Sequence, residues 1–290
     1  MFTWFEKDNI TRMVALTRNN IIGISLVLLI VGCGGGGAGS GGGDAVNSST
    51  AIPAPSFKGS ITTDTTIPST NTGATYQISV SLPADYSTTT GALPVIYALD
   101  GGVDNGDRFF RMASITEEQG VRAVLIGIGG YARRTTDYRL PGASNFYAFV
   151  TAELIPFIES KYRIDPSTRT LSGHSYGGFF AVLALLKDRP ASRYFENFIS
   201  QDIATREQEA LLFAMEQELF TASAGNLPGT TLILSGDRLG FEVSNEAVYQ
   251  RFLARNYQGL NLQRIPAYAL GHQEMFEPSF RDSIRLLFAS

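Results

Sequence analysis

The strongest constraint on this chain lies at residues 169–186, where the short run Arg169-Thr-Leu-Ser172 ends in Gly173-His174-Ser175-Tyr176-Gly177-Gly178 and passes straight into Phe179-Phe-Ala-Val-Leu-Ala-Leu-Leu186. A segment apolar on every side fits a helix buried against a sheet. A strand that becomes such a helix within a few residues must turn through strained backbone, and the small neighbours Gly173, Gly177 and Gly178 give that turn clearance. Ser175 sits at its apex as a candidate nucleophile. The same turn aims the Tyr176 amide and the helix N-terminus at any oxyanion formed beside Ser175.

The surrounding pattern supplies the sheet. Tyr76-Gln-Ile-Ser-Val-Ser-Leu82 alternates apolar and polar residues, as an outer antiparallel strand does. Leu93–Leu99 and Val121–Ile128 are nearly continuous apolar runs, which is how central parallel strands covered on both faces read. Residues 195–199, 231–234 and 261–265 read as further strands. Helical spacing marks 146–162, with Pro156 expected to kink it, and then 206–220, 244–256 and 279–289. Strand and helix in alternation predict an α/β fold, a mostly parallel central sheet with helices on both faces.

A serine hydroxyl needs a base, and the chain holds two histidines, His174 and His272. His174 adjoins the serine and is expected to point away across the turn. His272, just past the last expected strand, is the candidate base. An acid to orient it is expected in the loop after residues 231–234, where Asp237 is preferred and Glu242 is the alternative. The loop Asp100-Gly101-Gly102, after the first central strand, has the backbone freedom for a second oxyanion donor.

Composition narrows the chemistry. A net charge of −4 and a pI near 5.3, with no basic run outside the first residues, argue against nucleic acid as a partner. With one cysteine, Cys33, the chain cannot form a cysteine-built zinc site or an intrachain disulfide. Neither a phosphate-cradling loop nor a dinucleotide fingerprint is present, so no metal or cofactor is expected.

The amino terminus reads as an address. Lys7, Arg12 and Arg18 precede an uncharged run over 21–31, of the length of a signal-peptide core and short for a membrane span. Ile30-Val31-Gly32-Cys33 follows, and it resembles the bacterial lipoprotein box. The expected organisation is a signal peptide over 1–32, a lipidated Cys33 with a Gly/Ser-rich tether over 33–56, and one catalytic-size domain over 57–290. The tether's reach is about 25 Å from the scaling of Gly-rich chains. By the same resemblance Gly34 after the cysteine favours a lipid anchor in the outer membrane of the cell envelope.

Four further segments carry a family resemblance. Val95-Ile-Tyr-Ala-Leu-Asp-Gly101, Arg133-Arg-Thr-Thr-Asp-Tyr138, Glu153-Leu-Ile-Pro-Phe-Ile158 and Gly173–Gly178 together resemble the esterase family of α/β-hydrolases that contains enterochelin (catecholate siderophore) esterases and S-formylglutathione hydrolase-like enzymes. The resemblance runs over about residues 74–290. It implies the α/β-hydrolase fold, Ser175 as nucleophile, His272 as base, and Gly101, Gly102 and Tyr176 as the oxyanion hole. It also aligns Arg133 and Arg134 with a substrate-proximal segment. The sequence departs from the family at Ser200-Gln-Asp202, which lacks a Ser-Pro-Ser-like segment. Only 28 residues lie between Asp202 and Thr231, too few for a large cap domain.

The function expected is hydrolysis of a small-molecule carboxylic ester, of siderophore type, through an acyl-serine, by a protein tethered to a membrane. Acyl transfer by the same fold and a non-catalytic surface binding protein are the rival readings.

Overall fold

The computed structural model describes residues 57–189 and 192–289, so the signal segment, Cys33 and the tether expected over 1–56 lie outside the described residues. One eight-stranded sheet organises them, in the order β1-β2-β4-β3-β5-β6-β7-β8. The strands are β1 (Ser60–Pro68), β2 (Thr75–Leu82), β3 (Leu93–Leu99), β4 (Val124–Ile128), β5 (Ile164–His174), β6 (Asn197–Gln201), β7 (Asn226–Ser235) and β8 (Gln258–Arg264). The β1–β2 and β2–β4 pairs are antiparallel, and every other pair is parallel.

The helices are α1 (Arg108–Glu118), α2 (Arg134–Asp137), α3 (Ala143–Phe149), α4 (Ile155–Lys161), α5 (Tyr176–Lys187), α6 (Glu209–Ala222), α7 (Glu242–Arg255) and α8 (Phe276–Phe288). Side chains alternate across a strand, and here both faces are covered. Val95, Tyr97 and Leu99 of β3 join Leu232 and Leu234 of β7 in one core with Phe179, Val182 and Phe198. Ile96, Ala98, Ile199 and Ile233 point the other way, into a second core with Phe109 and Met112 of α1 and Phe280 and Ile284 of α8. The central runs therefore had to be apolar at consecutive positions.

The expected strands and helices form, with shifted ends. β5 begins at Ile164, well before Arg169, and β6 reaches Gln201. The helix expected over 146–162 is interrupted: α3 and α4 are joined by a π-helical turn, Val150–Leu154, just before Pro156. A proline near the start of α4 lacks the N–H that would continue the preceding ladder, and the π turn absorbs the mismatch. Three elements were not anticipated: β1, α1 and the four-residue α2. β1 is a threonine-rich edge strand burying little besides Ile67, so it carries no apolar alternation to read. α1 does carry a signal, since Phe109, Met112, Ala113 and Thr116 lie at helical spacing and are buried.

An aromatic cluster ties the first core to the loops above the sheet. Phe146 packs on Tyr76, Tyr138, Phe149 and Phe180, with ring centroids 5.0–5.7 Å apart. The Tyr138 hydroxyl accepts the Asp100 N–H at 3.1 Å, so packing in the cluster is transmitted to the turn after β3. Phe146→Ala should cost about 3–5 kcal/mol of unfolding free energy, read from the urea midpoint, because it opens a cavity among rings that cannot all move in.

Candidate functional site

Three neighbouring parallel strands end at the same level, and the residue after each has a positive φ: Asp100 after β3 at +59°, Ser175 after β5 at +63° and Asp202 after β6 at +48°. Such angles are uncommon without glycine and turn the chain sharply away from the strand. At Ser175 the turn is held on both sides. Its N–H donates to the Gln201 carbonyl (2.8 Å), and its own carbonyl accepts from Phe179 (3.0 Å) and Ala204 (3.2 Å). Gly173 and Gly177 meet backbone to backbone beneath it, where a Cβ on Gly173 would stand 2.3 Å from the Gly177 oxygen.

His272 follows β8, on the loop leading to α8. Its Nδ1 lies 2.5 Å from Oδ2 of Asp202, and since a carboxylate only accepts, Nδ1 carries a proton, which leaves the lone pair of the neutral ring on Nε2. The ring is held between Phe241 and His174, with centroids 4.6 and 4.5 Å away. The fully buried Asp202 carboxylate accepts two further bonds on Oδ1, from the Asp237 N–H (2.9 Å) and from Asn245 Nδ2 (3.0 Å). Asn245 Oδ1 in turn accepts the Ile203 N–H (3.2 Å). A histidine paired to a carboxylate that is itself oriented by fixed donors suits proton transfer at Nε2.

The carboxylate that His272 meets is thus Asp202, and not the Asp237 or Glu242 expected there. Asp237 directs its carboxylate at its own loop, accepting the N–H groups of Gly240 and Phe241 at 2.9 Å each, and reaches Asp202 only through its main chain. Glu242 is exposed at the start of α7. Asp202 was passed over because the acid was sought after β7; the signal available was an aspartate immediately following an apolar strand.

The candidate oxyanion donors are narrowed as well. The Gly101 N–H is directed at the Ile128 carbonyl (3.3 Å), whereas among the described residues the N–H groups of Gly102 and Tyr176 have no hydrogen-bond acceptor. Gly102 is glycine because a Cβ there would lie 2.1 Å from the Gly129 oxygen. Arg133 and Arg134 are also committed within the protein. Arg133 binds Asp137 through Nε (2.9 Å) and Nη2 (2.8 Å). Arg134, mostly buried, has Nε 2.9 Å from Asp100 Oδ1 and donates from Nη2 to the His174 carbonyl (3.1 Å). It braces the turns after β3 and β5 against each other.

Charge accumulates beneath the site. Burial raises the Asp100 carboxyl above the usual range, with Arg134 and Arg108 opposing the rise. Burial pushes the Arg108 guanidinium down to about 10, while Asp100 opposes the fall. Burial also holds His174 well below the ordinary imidazole value, and Arg108 and His272 add to that effect. His174 is therefore neutral, and its Nε2 donates to the main-chain carbonyl of His272 at 2.8 Å. His174, Asp202 and His272 bring their polar atoms within 4.8 Å of one another, as a metal site would. His174 Nε2 and His272 Nδ1 both face acceptors and carry protons, so this is a hydrogen-bonded group.

Residues 69–200 match the protein-family model described as "Putative esterase". Ferri-bacillibactin esterase BesA of Bacillus subtilis is 26% identical over 243 residues, which take in 70% of this chain and 81% of that protein. An esterase of Mycobacterium tuberculosis is 29% identical over 132 residues, 42% of this chain and 27% of its own length. Among solved structures, an IroE-like serine hydrolase from Shewanella oneidensis superposes with a TM-score of 0.66 at 24% identity, covering 80% of each chain. Siderophore hydrolase EstA from Aspergillus nidulans gives 0.64 at 19%, covering 81% of this chain and 96% of that one. With its α/β-hydrolase sheet and this family match, the chain is similar to the enterochelin-esterase-like esterases and is a carboxylic ester hydrolase.

Proposed function

We propose that Ser175, His272 and Asp202 form the catalytic triad of a serine esterase acting on anionic, siderophore-type esters. The observation that carries this is the 2.5 Å contact of His272 with a carboxylate held by two further donors, at the end of the strand next to the one that ends in a serine kept at φ +63°. In this reading Ser175 Oγ attacks the ester carbonyl as His272 Nε2 takes its proton, and the N–H groups of Gly102 and Tyr176 receive the negative oxygen. The imidazolium, steadied by Asp202, protonates the leaving alkoxide. Water then repeats the sequence on the acyl-serine, restoring the hydroxyl and releasing the acid.

The anionic preference rests on the rim. The Tyr176 ring has three guanidinium carbons within reach: Arg139 at 4.9 Å, Arg134 at 5.7 Å and Arg206 at 5.7 Å. Arg134 is paired with Asp100, and Arg139 with Glu207. Arg206 is exposed, and among the described residues no carboxylate lies within ion-pair distance of it. With the exposed ring of Tyr131 nearby, this surface suits an aromatic, negatively charged ester. The names of BesA and EstA, a siderophore esterase and a siderophore hydrolase, support the same substrate class.

The membrane tether belongs to this reading too. Cys33 after an apolar run, followed by a glycine-rich stretch, supports a lipid-anchored protein of the bacterial cell envelope. No helix among the described residues is long and apolar enough to cross a membrane.

Three outcomes follow. A fluorophosphonate probe should label the protein and leave Ser175→Ala unlabelled; equal labelling of both would refute Ser175 as nucleophile. Asp202→Asn should lower kcat by about 10³–10⁴-fold with KM little changed, as loss of the correct histidine tautomer does, whereas Asp237→Asn should mainly lower the melting temperature. Arg206→Glu should raise KM for a catecholate trilactone about five- to tenfold, and clearly less for a neutral acyl ester of p-nitrophenol.

A further inference from the structure

His174 is one residue from the nucleophile, is 1% exposed and takes no part in the proton transfers above. A buried imidazole is costly where a leucine would fill the space, because its polar atoms leave water. Among the described residues Nδ1 has no partner at all. The one bond the ring makes goes from Nε2 to the main-chain carbonyl of His272, at 2.8 Å.

That bond matters because of how the His272 loop is held. The Gly271 N–H turns back to Glu274 Oε2 (3.0 Å), and the Met275 N–H to the Gly271 carbonyl (3.0 Å), both within the loop. Among residues 269–274, the hydrogen bonds that leave the loop for the sheet ends both fall on His272: Nδ1 to Asp202 and the carbonyl to His174. The Asp202 contact and the flanking Phe241 ring hold the imidazole, while the main chain is otherwise next tied to the sheet end at Tyr268, through Gly236 and Arg238. The second contact pins the main chain of the same residue, and its donor is joined covalently to Ser175.

We propose that His174 is a positioning residue, whose Nε2–H grips the His272 carbonyl and thereby sets the distance between base and nucleophile. This rests on the reading of Ser175 and His272 given above. The tautomer is dictated by the acceptor: a carbonyl requires Nε2 to carry the proton, leaving Nδ1 bare. His174 also receives the Arg134 guanidinium on its own carbonyl (3.1 Å), so the turns after β3 and β5 and the His272 loop share one connected brace.

The test is a series at position 174 in the full-length chain. His174→Gln keeps an N–H at the reach of Nε2. His174→Asn ends short of it, and His174→Leu fills the volume without a donor. The expected result is a Gln variant close to the parent, with Leu and Asn variants slower by about 10- to 100-fold in kcat and in phosphonylation by a fluorophosphonate, at similar KM, since small displacements of a catalytic group cost on that order. A folded Leu variant as fast as the parent, or a Gln variant as slow as Leu, overturns the proposal. Should Leu fail to fold, equal rates for Gln and Asn overturn it. A parent that the probe does not label removes the serine-hydrolase reading itself, an outcome distinct from a labelled parent with an unaffected series.

Discussion

The site depends on three strand ends being forced into the same unfavourable turn. Each of Asp100, Ser175 and Asp202 carries a positive φ that costs on the order of 1–3 kcal/mol in a non-glycine residue. The strain is sustained because the N–H of each of these residues is held by a hydrogen bond. Asp100 donates its N–H to Tyr138, Ser175 to Gln201, and Asp202 to Ser235 at 2.7 Å. Since the parallel register sets His174 opposite Gln201, the nucleophile candidate and the carboxylate stand level before any side chain is chosen. Side-chain chemistry is then added to a geometry the sheet has already imposed.

The buried charges serve that geometry. Asp100 is 1% exposed, and a carboxylate at that depth survives ionised only with a cation beside it, which Arg134 provides at 2.9 Å. Arg134 then cannot also be the group that greets substrate. Its second guanidinium bond, to the His174 carbonyl, makes it a strut between two turns. Arg133 binds Asp137 through Nε and Nη2, although its side chain stays 40% exposed. Arg108, over the Phe276 ring at 3.4 Å, is the second cation that acts on the buried Asp100.

How far the sequence could be read follows from the range of each signal. The central strands and α5 were legible because burial on both faces demands unbroken apolar runs, and the elbow was legible because close backbone contact demands glycine at 173 and 178. The edge strand β1 was not, since an exposed strand of threonines needs no periodicity. His272 emerged because so few histidines are present. The commitments of Arg133 and Arg134 stayed hidden because their partners are recognisable only once Asp100 and Asp137 are known to be buried.

The acid shows the limit most clearly. Asp237 and Asp202 each follow an apolar strand directly or nearly so, and local sequence does not distinguish them. Packing does. The turn after β7 folds over itself, with the Asp237 carboxylate bound to Gly240 and Phe241, and this presents the Asp237 N–H to Asp202. Asn245, reaching from α7, takes the same oxygen and leaves Oδ2 for His272. The loop after β7 therefore contributes to the carboxylate–histidine pair by orienting it, and Phe241 from that loop closes over the imidazole ring. A carboxylate at either strand end can meet the same histidine in principle. What assigns it to β6 here is that the β7 aspartate is already occupied in building the surface against which Asp202 is held.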